Sequence, residues 1–151
     1  MLRLMRNLGA ALQNGRESKW MLTAIDTNVV IRLIVEDDPH KLKIVEALLE
    51  SNQLAIPHTV LLEAEWVLRS FYRWSGARIN HALTLLLDLE NVSIAEETCV
   101  RIALARHAAG ADFADMMHLA TSAYADRFVT FDAGLQRYAA QSGDERVELL
   151  V

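Results

Sequence analysis

The sequence predicts an α/β fold, with a central, mostly parallel sheet of about four or five strands and helices on both faces. Three observations predict it. Five short apolar runs, "LTAID", "QLAIP", "NVSIA", "RFVTF" and "RVELL", are spaced along the chain. Between them lie longer stretches whose apolar residues recur at helical spacing, and such alternation calls for crossover connections and parallel strands. No internal repeat, low-complexity tract or linker divides the body.

Each element has a local reason. "LTAID", 22–26, is a short apolar run ending in an acid, and "TNVVIRLIV" follows it as a helix. "EDDP" breaks that helix and caps the next, in which Lys41, Ile44, Val45, Leu48 and Leu49 keep the 3.6-residue period. "QLAIP" is a second strand, stopped by Pro57. A long helix is expected over about 58–74 and a shorter one over about 78–89. "NVSIA" is a third strand, and a helix from about Glu96 ends near Gly110. "GADFADMMHLA" opens another helix, reaching about Ala125. "RFVTF" is a fourth strand, a helix follows Asp132, and "RVELL" is a candidate fifth strand.

Composition narrows the function. With 151 residues, 52% of them hydrophobic, the chain suits one domain with a sizeable core and not a disordered segment. Its one cysteine, Cys99, excludes an internal disulfide and fits a reducing, cytoplasmic compartment. No run of about 18 apolar residues is present, so no membrane span is expected. The formal charge is -5, unevenly spread. Residues 1–21 carry Arg3, Arg6, Arg16 and Lys19 against Glu17, while the remainder holds 11 basic and 19 acidic residues. An acidic body argues against generic nucleic-acid binding and suits a binder of hard cations. Residues 1–20 carry an amphipathic trace (Leu4, Leu8, Ala11, Leu12) and form an N-terminal extension to a domain over 21–151. Met21 is a candidate alternative start.

In a parallel α/β sheet, sites form beyond the carboxyl ends of the strands. Asp26 follows "LTAI" and Asp132 follows "FVTF", so both are expected at that edge. Each is equally well placed to cap the helix behind it. On the long helix the apolar stripe is taken as Val60, Ala64, Val67, Leu68 and Phe71. That phase puts Glu63 on the flank of the stripe. It puts Glu65 on the other side, in a solvated pair with Arg69. Asp112 has the spacing of an N-cap. Asp115, one turn in, sits beside a face buried by Met116, Leu119, Ala120 and Ala123, which pushes its carboxylate toward the sheet edge.

The order Asp, Glu, Asp, Asp along such a chain resembles the PIN-domain ribonucleases, and within them the VapC-type toxins of bacterial toxin–antitoxin pairs. "AIDTNVVIRL", "LLEAEWVLRS", "DFADMMHLA" and "FVTFD" carry the resemblance, which runs from Met21 to the end. Each motif alone is weak, but all four in order are specific. The resemblance implies a single PIN-like domain in which Asp26, Glu63, Asp115 and Asp132 are catalytic and gather around Mg²⁺, with Mn²⁺ as a substitute. It further implies RNA as substrate, a 5′-phosphate and a 3′-hydroxyl as product ends, an antitoxin protein as partner, and a homodimer. Asp112 matches an acid of less fixed role, here mostly capping and support.

Carboxylates suit this chemistry. Phosphodiester cleavage needs an activated water and relief of phosphate charge, and Mg²⁺ supplies both while demanding oxygen ligands. Crowded acids repel, which raises some of their pKa values when no metal is present. His40, His58, His81, His107 and His118 show no zinc-ligand spacing. His118, one turn after Asp115, is expected to pack on its helix. Thr27, Asn28 and Thr130 flank the acids and could fix loops or carboxylates. A phosphatase or receiver domain would need a late lysine, yet the only lysines are Lys19, Lys41 and Lys43. A catalytically silent PIN-fold binding module is the remaining alternative, and an intact quartet argues against it.

Leu62, Trp66, Arg69 and Arg73 fall on a second helical stripe. They are candidates for an antitoxin or dimer surface, or for an RNA track. The plainer expectation is that the 78–89 helix covers Trp66.

Overall fold

The computed structural model describes residues 21–151, so the expected extension over 1–20 lies outside the described residues. Five strands and seven helices are found among the described residues, and every strand pairing is parallel. The α/β class is therefore as the sequence predicts. The chain forms two compact units, one reaching to Glu97 and one running from Thr98 to Val151.

The first unit is built on a three-stranded sheet in the order β1 (Met21–Ala24), β2 (Asn52–Ala55), β3 (Val92–Ser93). Met21 stands opposite Asn52, and Leu54 opposite Val92. Helix α1 (Thr27–Val35) opens on Asp26, whose Oδ1 accepts the Val29 N–H at 3.0 Å. It closes at Glu36, which takes a left-handed φ of 57° while its N–H bonds the Arg32 carbonyl. Asp38 caps α2 (Pro39–Ser51), with Pro39 at the first position where its missing N–H costs nothing. Helix α3 (His58–Ser70) follows Pro57, and α4 (Gly76–Leu87) is capped by the Ser75 hydroxyl. Leu49, Leu54, Leu61, Leu68, Ile79 and Leu83 are fully buried here. Two buried polar side chains serve the backbone: Asn52 donates to the Leu48 carbonyl at 3.1 Å, and Asn91 donates to that of Leu49.

The second unit holds α5 (Glu97–Ala108), α6 (Phe113–Thr121), β4 (Phe128–Thr130), α7 (Ala133–Gln141) and β5 (Val147–Leu149). Gly110 follows α5 with a φ of 99°, a conformation that glycine reaches without strain. Strands β4 and β5 pair from Phe128 opposite Val147 to Thr130 opposite Leu149. Arg146 grips Asp144 through two nitrogens and also donates to the Ser122 and Ala125 carbonyls, which fastens the chain leaving α6. Phe113, Met116, Met117 and Leu119 are buried.

Several boundaries and one phase differ from expectation. The strands form sheets of three and two instead of one continuous sheet, and β3 has only two residues to offer a neighbour. Helix α3 stops at Ser70, short of 74, and α6 stops at Thr121, short of Ala125. The buried stripe of α3 is Leu61, Ala64, Glu65 and Leu68, while Phe71 is exposed. Val60 and Leu61 are both apolar, so periodicity fits either phase. The phase adopted is the one that buries Glu65 at 6% exposure with its carboxylate on Arg69 Nε, 2.9 Å away.

Candidate active site

In the first unit Asp26 sits where a strand hands over to a helix, and Glu63 lies within α3. Asp26 is exposed, two residues past the end of β1, and its φ of -92° and ψ of 176° let the side chain turn back onto the helix start. Thr27 is buried beside it, and its Oγ1 donates to Glu63 Oε2 at 2.6 Å. That bond joins the start of α1 to the middle of α3 and brings Asp26, Thr27 and Glu63 into one neighbourhood. Asn28 is exposed and lines a pocket of about 250 Å³ with Val29, Arg32, Lys41, Ile44 and Val45.

The expected contrast between the two glutamates is reversed. Glu63 is exposed, not partly buried, and Glu65 is the buried one, not a solvated surface residue. Burial thus gives no reason to favour Glu63. Its bond from Thr27, 36 residues away, does.

In the second unit Asp112, Asp115 and Asp132 line one recess of about 200 Å³, together with Met116, Leu135 and Tyr138. Asp112 caps α6 through Oδ1, accepting the N–H groups of Ala114 at 2.9 Å and Asp115 at 3.2 Å. Asp132 caps α7 in the same way, accepting from Gly134 at 2.6 Å and Leu135 at 3.1 Å. Its own N–H donates to Thr130 Oγ1 at 3.0 Å. Asp115 is half-buried one turn into α6. Burial raises its carboxyl above the ordinary carboxylate range, and the negative charges of Asp112 and Asp132 push it further the same way. His118 opposes this shift, and is itself exposed instead of packed against its helix.

Gly134 is a residue that the acid pattern alone does not flag. A Cβ at this position would lie 2.9 Å from Asp132 Oδ1, so only glycine lets that carboxylate approach the helix start so closely. The signal is present in "FDAG", an acid followed two residues later by glycine at a helix start. Other side chains are committed elsewhere. The His107 ring meets the Ala111 carbonyl at 3.0 Å and lies against Phe113, and His58 Nε2 lies 2.7 Å from the Ala95 carbonyl. Among the described residues, no three His, Cys, Asp or Glu side chains are grouped so as to hold a metal ion.

The second stripe on α3 is shorter than expected. Trp66 is 57% exposed and is not covered by α4, Leu62 is half-buried, and Arg69 is engaged with Glu65. Arg73 is off the stripe, since it lies beyond the end of α3 with a left-handed φ of 57°.

Parallel strands followed by helices, with Asp26 and Asp132 capping the helix behind a strand, define an α/β protein with two of its acids at strand-to-helix junctions. A family model for the PIN domain matches residues 23–141, and the chain belongs to the PIN-domain family. No curated protein and no solved structure matched the chain. PIN domains are generally nucleases that bind nucleic acid and typically use divalent metals. Among the described residues, no helix is long and apolar enough to cross a membrane.

Proposed function

We propose that this chain is a Mg²⁺-dependent endoribonuclease and the toxin of a VapBC-type toxin–antitoxin pair. The observation that carries the reading is Asp115, a half-buried carboxyl in a recess that it shares with Asp112 and Asp132, its pKa raised by burial and by their charge. Such crowding opposes folding unless a cation relieves it. The donor set fits a hard cation, because every candidate ligand is a carboxylate oxygen.

Asp26 and Glu63 of the first unit and Asp115 and Asp132 of the second are the proposed catalytic acids and ligands for Mg²⁺, or for Mn²⁺ in its place. When bound, the metal activates water and neutralises charge on the phosphate. The protein's own part is positioning. Backbone N–H groups hold Oδ1 of Asp26 and Asp132, so ligation through Oδ2 does not compete with either helix start. Thr27 orients Glu63, and Asp112 fixes the turn that carries Asp115. The product ends are a 5′-phosphate and a 3′-hydroxyl. The toxin role adds a small antitoxin, a homodimer and a cytoplasmic setting.

The test is cleavage of a labelled RNA by the purified chain with Mg²⁺, with Mn²⁺ and with a chelator. Cleavage that needs the metal and vanishes in Asp115→Asn supports the reading, and a wild-type chain inert towards RNA with either metal overturns it. Co-expression with the product of the neighbouring gene tests the toxin role, which requires that product to bind the chain and silence it.

A further inference from the structure

Outside the acids, the most distinctive surface of the first unit is the end of α3 and the turn that follows. Between Trp66 and Leu87 the chain holds Arg69, Arg73 and Arg78 and no acidic residue, although the whole protein is acidic. The same stretch holds Trp66, Phe71, Tyr72 and Trp74, four of the ten aromatics in the chain. Trp66 is 57% exposed and Phe71 76% exposed.

The turn is built to hold these groups out. The Tyr72 hydroxyl donates to Asp37 Oδ2 at 2.7 Å, and Arg32 bonds the same carboxylate. The Trp74 N–H returns to the Leu68 carbonyl at 3.1 Å. Phe71 stands edge-on to Tyr72, with ring centroids 5.1 Å apart. The Arg78 guanidinium lies over the Trp74 ring, 3.6 Å from its centroid. Exposed aromatic faces interleaved with cations are what single-stranded nucleic acid requires, with bases on rings and phosphates on arginines. The patch also begins one helical turn from Glu63, since Glu63 and Trp66 are three residues apart on α3 and both exposed.

We infer that Trp66, Phe71, Arg73 and the Trp74–Arg78 pair form a docking track for a single RNA strand leading to Glu63. This rests on the ribonuclease reading above and adds where the strand lies. Charge complementarity selects the occupant. With Arg69 already paired to Glu65, a two-fold contact with a second copy would set Arg73 and Arg78 against the same arginines, whereas a polyanion satisfies them.

The test is binding of a fluorescein-labelled single-stranded RNA of about ten nucleotides to the full chain in chelator, followed by anisotropy across a salt series. Trp66→Ala with Phe71→Ala should weaken binding at least about tenfold, and Trp66→Phe should restore much of its share. Arg73→Ala should lower the slope of log affinity against log salt by roughly 0.7. Thermal melts of these exposed-site variants should match wild type. A wild type that does not bind the oligomer, or variants that bind it as wild type does, would overturn the track. So would variants that only convert a dimer to monomers in sedimentation. Because cleavage is switched off in chelator, the two readings fail separately. A chain that binds through this patch yet never cuts RNA with metal loses only the ribonuclease assignment. A chain that cuts RNA while the variants bind unchanged loses only the track.

Discussion

Thr27 and Glu63, 36 residues apart in sequence, are joined by a 2.6 Å hydrogen bond from a buried hydroxyl to an exposed carboxylate. One oxygen of Glu63 is thereby held against the helix that Asp26 opens. Thr27→Val removes the donor while keeping the side chain's bulk. RNA cleavage should fall by about 10–100-fold, the usual cost of losing a group that orients a ligand, and Thr27→Ser should retain most of it. Wild-type turnover in Thr27→Val would mean that the bond is only structural.

The two glutamates of α3 should separate cleanly. Glu63→Gln is expected to reduce cleavage by about 100-fold or more with an unchanged melting curve. Glu65→Gln removes the charge from a buried carboxylate paired with Arg69. It should cost about 1–2 kcal/mol in a denaturant titration while leaving turnover near wild type. The opposite assignment would show that Glu65 serves the chemistry.

These glutamates also mark what a sequence can reveal. Asp26, Asp112 and Asp132 were legible as caps because capping is local, deciding only the next three residues. The strands were legible from short apolar runs bounded by polar residues. The phase of α3 was not, because adjacent Val60 and Leu61 satisfy two stripes, and only packing against the rest of the unit, which buries Leu61, Ala64, Glu65 and Leu68, decides between them. Its end was equally hidden, since "SFYRW" contains neither glycine nor proline and Arg73 takes the left-handed turn in their place. The Thr27–Glu63 bond joins distant segments, which no local pattern encodes.

Asp115 should report its crowding through stability. Its folded carboxyl lies above the ordinary value, so folding disfavours its ionised form. The penalty is absent below the unfolded pKa, grows as pH rises through the folded value and persists above it. In chelator at neutral pH, Asp115→Asn should therefore melt higher than wild type. The gap should close near pH 3, where both states of the wild type are protonated. Added Mg²⁺ should raise the melting temperature of wild type and not of the variant. A variant that melts lower at neutral pH would contradict this account.

Gly134→Ala should affect activity more than folding. The new Cβ meets the Asp132 carboxylate, which can swing aside without moving the backbone. Loss of the cap should cost about 1 kcal/mol, and cleavage should fall about tenfold because the acid has moved. Unaltered cleavage would indicate that the position of Oδ1 is not critical.

Three of the acids, Asp26, Asp112 and Asp132, hold a helix start through their side chains. Asparagine caps a helix about as well as aspartate does, and a single base change in either aspartate codon produces it. Under the proposed assignment of four ligands, Asp26 and Asp132 would thus be sites where the chemistry is lost in one mutational step without unfolding. A lineage under pressure from its own nuclease would find these positions first. Each resulting protein would keep its shape, its surfaces and its capacity to meet partners while losing its chemistry.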